Sequence, residues 1–331
     1  MERSDYVIRR LGWAIFTIFF VVTLNFFLFR VLPGDPAKSG ARDPRLTREA
    51  QEAIRVRFGL DKPLLINMTG DPFDSQFFRY FGNLVRGDLG MSYNFSRPVA
   101  DLLRERLVNT VLLVMVGQTL AILIGLALGI VAAWRRGTAL DAAALVFGLF
   151  TWALPTFFLG IILLIVGSTL FGLPVGGIRT PGAAYASFWD EWFDIGRHML
   201  LPSLTLTIIF LGEFLLIMRS SLLETLGDDY ILTARAKGLS DARILLDHAL
   251  KNALLPVVTI IALTLGFTVA GALQTEAVFS WPGLGSAIVE AVSRRDYPML
   301  QGAFLLIAVS VVLANLAADL VYSWLDPRVK N

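Results

Sequence analysis

The sequence predicts an all-α polytopic membrane protein with six spanning helices. Three observations carry that expectation. The 331 residues are 55% hydrophobic and only 17% charged, a balance that a water-exposed domain could hardly cover with polar surface. Five stretches carry no charge and reach the roughly 20 residues that a helix needs to cross a hydrocarbon core: Leu11 to Phe29, Leu107 to Trp134, Ala142 to Ile178, Asn252 to Thr275 and Tyr297 to Ala318. A sixth, Met199 to Met218, is interrupted only by Glu213.

The first span follows Arg3, Arg9 and Arg10. Its 19 uncharged residues exceed the roughly 7 to 15 of a signal-peptide core, so it reads as a retained helix. The stretch from Ala142 to Ile178 is too long for one span. Gly172, Pro174, Gly176 and Gly177 turn its last part into loop, which leaves one helix near 140 to 171. An even number of spans puts both termini on one side, and the arginines before the first helix place that side in the cytoplasm. The chain then divides into an N-terminus and first helix (1–32), an external subdomain (33–106), and a five-helix core (107–331) that contains a cytoplasmic segment, 219–255. Within the subdomain, Leu46 to Phe58 alternates apolar and charged residues at helical spacing. Pro98 to Arg106 reads as a short amphipathic helix lying at the interface before the second span.

The cytoplasmic segment is the most informative. Asp228 and Asp229 suit a helix start, Tyr230 to Lys237 its body, and Gly238 a left-handed stop; Ser240 then caps a second helix running to Leu255-Pro256. The small Ala234 and Ala236 would let another protein approach the backbone, and Arg235 and Lys237 could meet its acidic groups. An ordinary solvated basic loop explains the same residues.

Candidate pathway residues are few. Glu213 is a carboxylate inside a span, a place where such groups usually face protein or water; it could meet a substrate amine, pair with Arg219 or reach headgroups. Gln118, Gln274, Asn25, Arg30, Asn315 and Asp319 lie in or near spans and suit interhelical hydrogen bonding or snorkelling. Glu276 fits either substrate contact or a helix-end partner for an arginine or a backbone amide. His198 and His248 fall on opposite sides and form no metal pair. With no cysteine, thiol catalysis and thiolate metal sites are excluded. No G-x-x-x-x-G-K-[ST] occurs, so the chain has no phosphate cradle for ATP. An ion-coupled secondary carrier would share the hydrophobicity and Glu213, but it calls for an inverted repeat that is not visible here. An intramembrane hydrolase would need a nucleophile and base in one layer.

Four stretches bear a resemblance. YILTARAKGLS at 230–240 with HALKNALLP at 248–256, TEAVFSWPGLG at 275–285 with RRDYPMLQG at 294–302, YSWLDPRVK at 322–330, and FGLDKPL at 58–64 with GNLVRGDLGMSY at 82–93 resemble the dipeptide and oligopeptide (and nickel) branch of ABC importer permeases. That resemblance implies the type I importer permease fold. It also implies a translocation pathway for di- or oligopeptides, shared with a second homologous permease. The implied partners are a substrate-binding protein outside and two ATP-binding subunits or one fused ATPase inside, with ATP and magnesium held on those subunits and no nucleic acid involved. Tyr230, Thr233, Ala234, Arg235, Ala236, Lys237 and Gly238 match the loop that docks on the ATPase. One departure stands out. The general pattern starts Glu-Ala-Ala six residues before the glycine, whereas this chain has Leu232-Thr233-Ala234. Nickel chelates, glutathione or oligosaccharides are alternative cargoes within the same family.

Overall fold

The computed structural model describes residues 3–31, 47–49, 53, 56, 62–68, 70–266, 268 and 272–325. Among them every regular element is helical, apart from an isolated bridge between Met91 and Pro98. The helix expected over Leu46 to Phe58 lies largely outside the described residues.

Two long helices form the centre. Helix α3 (Val99–Trp134) has 36 residues and α6 (Phe188–Leu226) has 39, about 54 and 58 Å at 1.5 Å per residue. Both exceed a hydrocarbon core of about 30 Å. The short interfacial helix expected over Pro98 to Arg106 is therefore not separate. Pro98 sits in the N-cap position and α3 runs from Val99 straight into the span, because proline is compatible with a helix start and nothing after it breaks the helix.

What lets α3 and α6 touch is a row of small residues at four-residue spacing, Gly117, Ala121, Gly125 and Gly129. A Cβ on Gly125 would lie 2.8 Å from the Phe214 Cβ and 2.9 Å from the Leu211 carbonyl oxygen. Close backbone approach of this kind drives helix association where lipid removes the hydrophobic incentive. Gly125→Val is thus expected to push the two helices apart, at about 1 to 3 kcal/mol or more for overpacking. The readout is a lower detergent melting temperature, and an unchanged one would show that the contact yields.

The single helix expected near 140 to 171 is in fact two: α4 (Ala139–Ala153) and α5 (Thr156–Phe171), bent by 101°. Pro155 explains the break. It lacks an amide hydrogen and disfavours helical geometry in the residue before it, and Leu154 is extended (φ −70°, ψ 130°). Among the described residues five helices are long and apolar enough to cross a membrane, and the bent pair counted as one span makes six.

Beyond α6 come α7 (Asp229–Ala236) and α8 (Asp241–Arg243), then a π-helical stretch, Ile244–Ala249, continuous with α9 (Leu250–Gly266). The span expected to run to Thr275 ends at Gly266. Thr275 belongs to a separate short helix, α10 (Leu273–Val278), followed by α11 (Leu284–Arg294) and α12 (Tyr297–Leu325). Helix α12 packs on α1 (Arg3–Val31), with the Asn25 amide donating to the Gln301 carbonyl at 3.2 Å and the Phe29 and Phe304 rings 6.0 Å apart. Helix α2 (Gln76–Val85) lays Phe77 and Tyr80 on Phe26, and Phe81 on Phe19. Just before it, Lys62 and Arg79 hold the Asp74 carboxyl below its ordinary pKa.

Candidate functional site

The segment from Arg219 to Leu255 forms an elbow whose inner face is apolar. Ile231 and Ala234 of α7 are buried against Met218 and Leu222 of α6, Ile244 and Ala249 of the π stretch, and Ala253 and Val257 of α9. The hinges follow from local sequence. Asp228 is extended at the N-cap of α7, and Gly238 takes φ +75°, a left-handed conformation that suits glycine. The Asn252 amide donates to the Tyr230 hydroxyl at 2.7 Å, and the Ser221 hydroxyl to the Ala253 carbonyl at 2.7 Å. A π stretch inside a helix often marks a functional position, and this one sits where α7 leans on the start of α9.

Ala234 was expected to stay small so that a partner could approach. It faces inward instead, 6% exposed and packed in this chain's own cluster. The outward surface of α7 consists of Asp229, Tyr230, Leu232, Thr233, Arg235 and Ala236, followed by Lys237 and Gly238, all exposed. Helical periodicity is the reason: Ile231 and Ala234 are three residues apart and share a face, whereas Leu232, Thr233 and Ala236 share the other.

Beside the elbow lies an ion pair with no counterpart in the expectations. Arg219 donates from Nε to Asp141 Oδ1 at 2.6 Å and from a terminal nitrogen to Oδ2 at 2.9 Å, and the Gly137 amide donates to Oδ2 at 3.0 Å. The bidentate fork is the geometry that suits guanidinium and carboxylate best. It ties the start of α4 to the end of α6, and with Asp141 4% exposed it is largely dry. Arg219 is therefore not the partner of Glu213. Among the described residues no hydrogen bond or ion pair reaches Glu213, which is half-buried towards the Arg219 end of α6.

The remaining candidates separate clearly. Gln118 is buried and accepts from the Thr268 hydroxyl at 3.0 Å, whereas Gln274 is exposed. Glu276 is fully buried and serves the N-terminus of α11. Its carboxylate accepts from the Thr110 hydroxyl at 2.7 Å and the Ser286 amide at 3.0 Å, while Thr110 itself accepts from the Leu284 amide at 2.7 Å. A helix N-terminus is a natural seat for a carboxylate. Burial holds the Glu276 pKa above its ordinary value, and the Thr110 hydroxyl with the Ser286 and Gly285 amides offsets only part of that rise. The approach is close enough that a Cβ on Gly283 would overlap the carboxylate, which is why the WPGLG stretch needs glycine there. Asn109 completes the joint, donating to the Pro282 carbonyl at 2.9 Å and accepting from the Trp281 indole at 3.0 Å.

Asp296 is a second buried carboxylate that sequence reasoning missed. It accepts from the Ser92 hydroxyl, from the amides of Tyr93 and Asn94 at 3.2 and 3.1 Å, and from the Met299 amide at 3.3 Å. It thereby caps α12 and fastens the turn at 92–95 to it. The signal was available in RRDYPML, an aspartate just ahead of a Tyr-Pro helix start. Among the described residues no group of three or more His, Cys, Asp or Glu side chains could hold a metal ion.

Comparison with known proteins agrees with this architecture. The family model described as "Binding-protein-dependent transport system inner membrane component" matches residues 125–331, and its companion for the N-terminal part of these membrane components matches residues 3–114. The chain is 36% identical to the dipeptide transport system permease protein DppB of Escherichia coli (strain K12), with 99% of both chains covered. It is 37% identical to the glutathione transport system permease protein GsiC of the same strain, over 98% of this chain and 99% of that one. Identity to the di/tripeptide transport system permease protein DppB of Pseudomonas aeruginosa (strain UCBPP-PA14) is 36%, over 99% of both. With two family models covering most of its length and full-length relatives above 30% identity, the chain belongs to the inner-membrane permease components of binding-protein-dependent, ABC-type transport systems.

Proposed function

We propose that this multi-pass permease component, a non-catalytic subunit, forms half of a pathway that imports short peptides. Its drive comes from a separate ATPase that docks on the outward face of α7. The observation that carries the cargo is full-length similarity to permeases named for dipeptides, for di- and tripeptides, and for glutathione. Glutathione is itself a tripeptide, so these names converge on small peptide-bonded solutes. In this reading both termini and the elbow are cytoplasmic. A second homologous permease completes the pathway, and a binding protein delivers cargo to the face carrying 33–106. ATP and magnesium stay on two ATP-binding subunits or one fused chain.

Two features support the roles of particular residues. The inner face of α7 is fastened to α6 and α9, so a push on its outer face moves both spans together. That gives ATP binding a differential contact through which to shift the pathway between states. Inside the pathway Glu213 is the side chain suited to a peptide ammonium, since Gln118 is engaged by Thr268 and Glu276 by α11.

ATP-driven uptake of a labelled dipeptide into vesicles holding the assembled transporter tests both parts. The wild-type complex is expected to accumulate dipeptide. Ala236→Trp is expected to leave the permease folded but to weaken ATPase association by about tenfold, the equivalent of 1.4 kcal/mol of overpacking. Uptake of a nickel chelate or a sugar with no dipeptide uptake would overturn the cargo. Undiminished uptake and ATPase recovery in Ala236→Trp would move the docking site away from α7, with the segment 326–331 as the next candidate.

A further inference from the structure

Helix α9 carries two irregularities close together at its elbow end. The π-helical stretch Ile244–Ala249 leads into it, and Pro256 lies inside it. A proline in a helix interior brings no amide hydrogen to the carbonyl four residues back and crowds that carbonyl, so helices bend there. The carbonyl concerned belongs to Asn252, the residue whose side-chain amide donates to the Tyr230 hydroxyl at 2.7 Å. Next to it, the Ala253 carbonyl accepts from the Ser221 hydroxyl at 2.7 Å. Just before the proline, α9 is therefore tied to α7 by one hydrogen bond and to α6 by another. Packing divides near the same place. Ala249 and Ala253 before the proline, and Val257 just after it, belong to the elbow's apolar cluster with Ile231 and Ala234 of α7. Ile260, one turn further on, packs instead against Leu211 and Phe214 of α6, which lie on either side of Glu213 in the chain.

We infer that Pro256 is the hinge at which α9 bends when the ATPase moves α7, and that the Tyr230–Asn252 hydrogen bond is the strut that carries the movement to it, a role that rests on the docking proposed above. Before the hinge, α7, the π stretch and the first turn of α9 move as one block, because apolar packing and the two hydrogen bonds join them. After it, Ile260 lies against the residues that flank Glu213, so a change of bend alters the packing beside that carboxylate. Lys251 is the last charge before the span and Pro256 follows five residues later, about 7.5 Å along the helix at 1.5 Å per residue. A proline is tolerated at such a place because neighbouring helices and hydroxyl groups satisfy the backbone that it disturbs, and the Ser221 hydroxyl already sits on the adjoining carbonyl. Tyr230 and Asn252 act through the helix, as positioning residues.

The assembled transporter in vesicles, with dipeptide uptake and ATP hydrolysis measured together, tests both roles. Pro256→Ala supplies the missing amide hydrogen to the Asn252 carbonyl and stiffens α9. It is expected to keep ATPase recovery and to melt at or above the wild-type temperature, yet to move several-fold less dipeptide per ATP hydrolysed. Asn252→Leu removes the strut without touching the outer face of α7, and is expected to lower the same ratio several-fold with normal ATPase recovery. Asn252→Asp, whose carboxylate accepts from the Tyr230 hydroxyl, should restore it. A wild-type ratio in Pro256→Ala would overturn the hinge; a wild-type ratio in Asn252→Leu, or no rescue by Asn252→Asp, would overturn the strut. Loss of ATPase recovery in Pro256→Ala or Asn252→Leu would also overturn the assignment, by making that residue part of the docking contact. Failure of the proposed function shows separately, as no dipeptide uptake by the wild-type complex or undiminished ATPase recovery in Ala236→Trp.

Discussion

Asp141→Ala is expected to be among the most damaging single substitutions in the chain. It leaves the Arg219 guanidinium without the carboxylate that receives both of its hydrogen bonds, in a setting where Asp141 is 4% exposed. Removing one partner of a fully buried pair costs about 3–5 kcal/mol because the remaining charge is stranded; the Arg219 side chain, 17% exposed, keeps some access to solvent, so the loss should fall at or below the lower end of that range. The Gly137 amide loses its acceptor as well. The double variant Asp141→Leu/Arg219→Met should be much milder, since it removes both charges and keeps apolar volume. Thermal unfolding in detergent, read by loss of the monodisperse peak, measures all three proteins. A single variant no worse than the double one would mean that water reaches the pair and compensates the arginine.

The second large effect belongs to the joint around Glu276. Glu276→Ala takes the acceptor from the Thr110 hydroxyl and the Ser286 amide, and an unsatisfied buried polar group costs about 1–3 kcal/mol. Gly283→Ala should also destabilise, for a different reason: its new Cβ overlaps the carboxylate. The two effects are coupled through one contact, so they should not add. Removing the carboxylate removes the overlap, and the double variant should be little worse than Glu276→Ala alone. Melting temperatures of the two singles and the double test this, and simple additivity would show that Gly283 is constrained by something other than Glu276.

Much of this protein was legible in the chain. Five uncharged runs and a sixth interrupted only by Glu213 marked where the chain crosses, five of them now single long helices and the other the bent pair α4–α5, because the hydrocarbon core sets one length requirement that composition alone can meet or fail. Asp228 at the start of α7 and Gly238 in a left-handed turn after it could be placed because caps and stops act over only a few residues. Helix ends were harder wherever no local stop operates: α3 begins at Val99 instead of after Arg106, and α6 extends eleven residues before Met199. Pro155 was visible in the sequence but was outweighed by the uncharged run around it, although its effect on Leu154 decides the 101° bend.

Long-range partnership was what sequence periodicity could not supply. Glu213 and Arg219 are neighbours along one helix, yet the arginine reaches across to Asp141, 78 residues away in the chain. Ala234 and Ala236 are equally small, and only packing against Met218, Ile244 and Ala253 turns the first inward and leaves the second exposed. Asp296 meets Ser92 and the amides after it, and Glu276 meets Thr110, because the folded chain brings helix N-termini beside buried carboxylates. The uncharged runs that cross, the hinges at Asp228 and Gly238 and the absence of a phosphate-binding motif are properties of short stretches, so the sequence by itself determined them. Which charge meets which, and which face of a helix is left for lipid or for a partner, depends on segments far apart in the chain, and only the tertiary structure decided it.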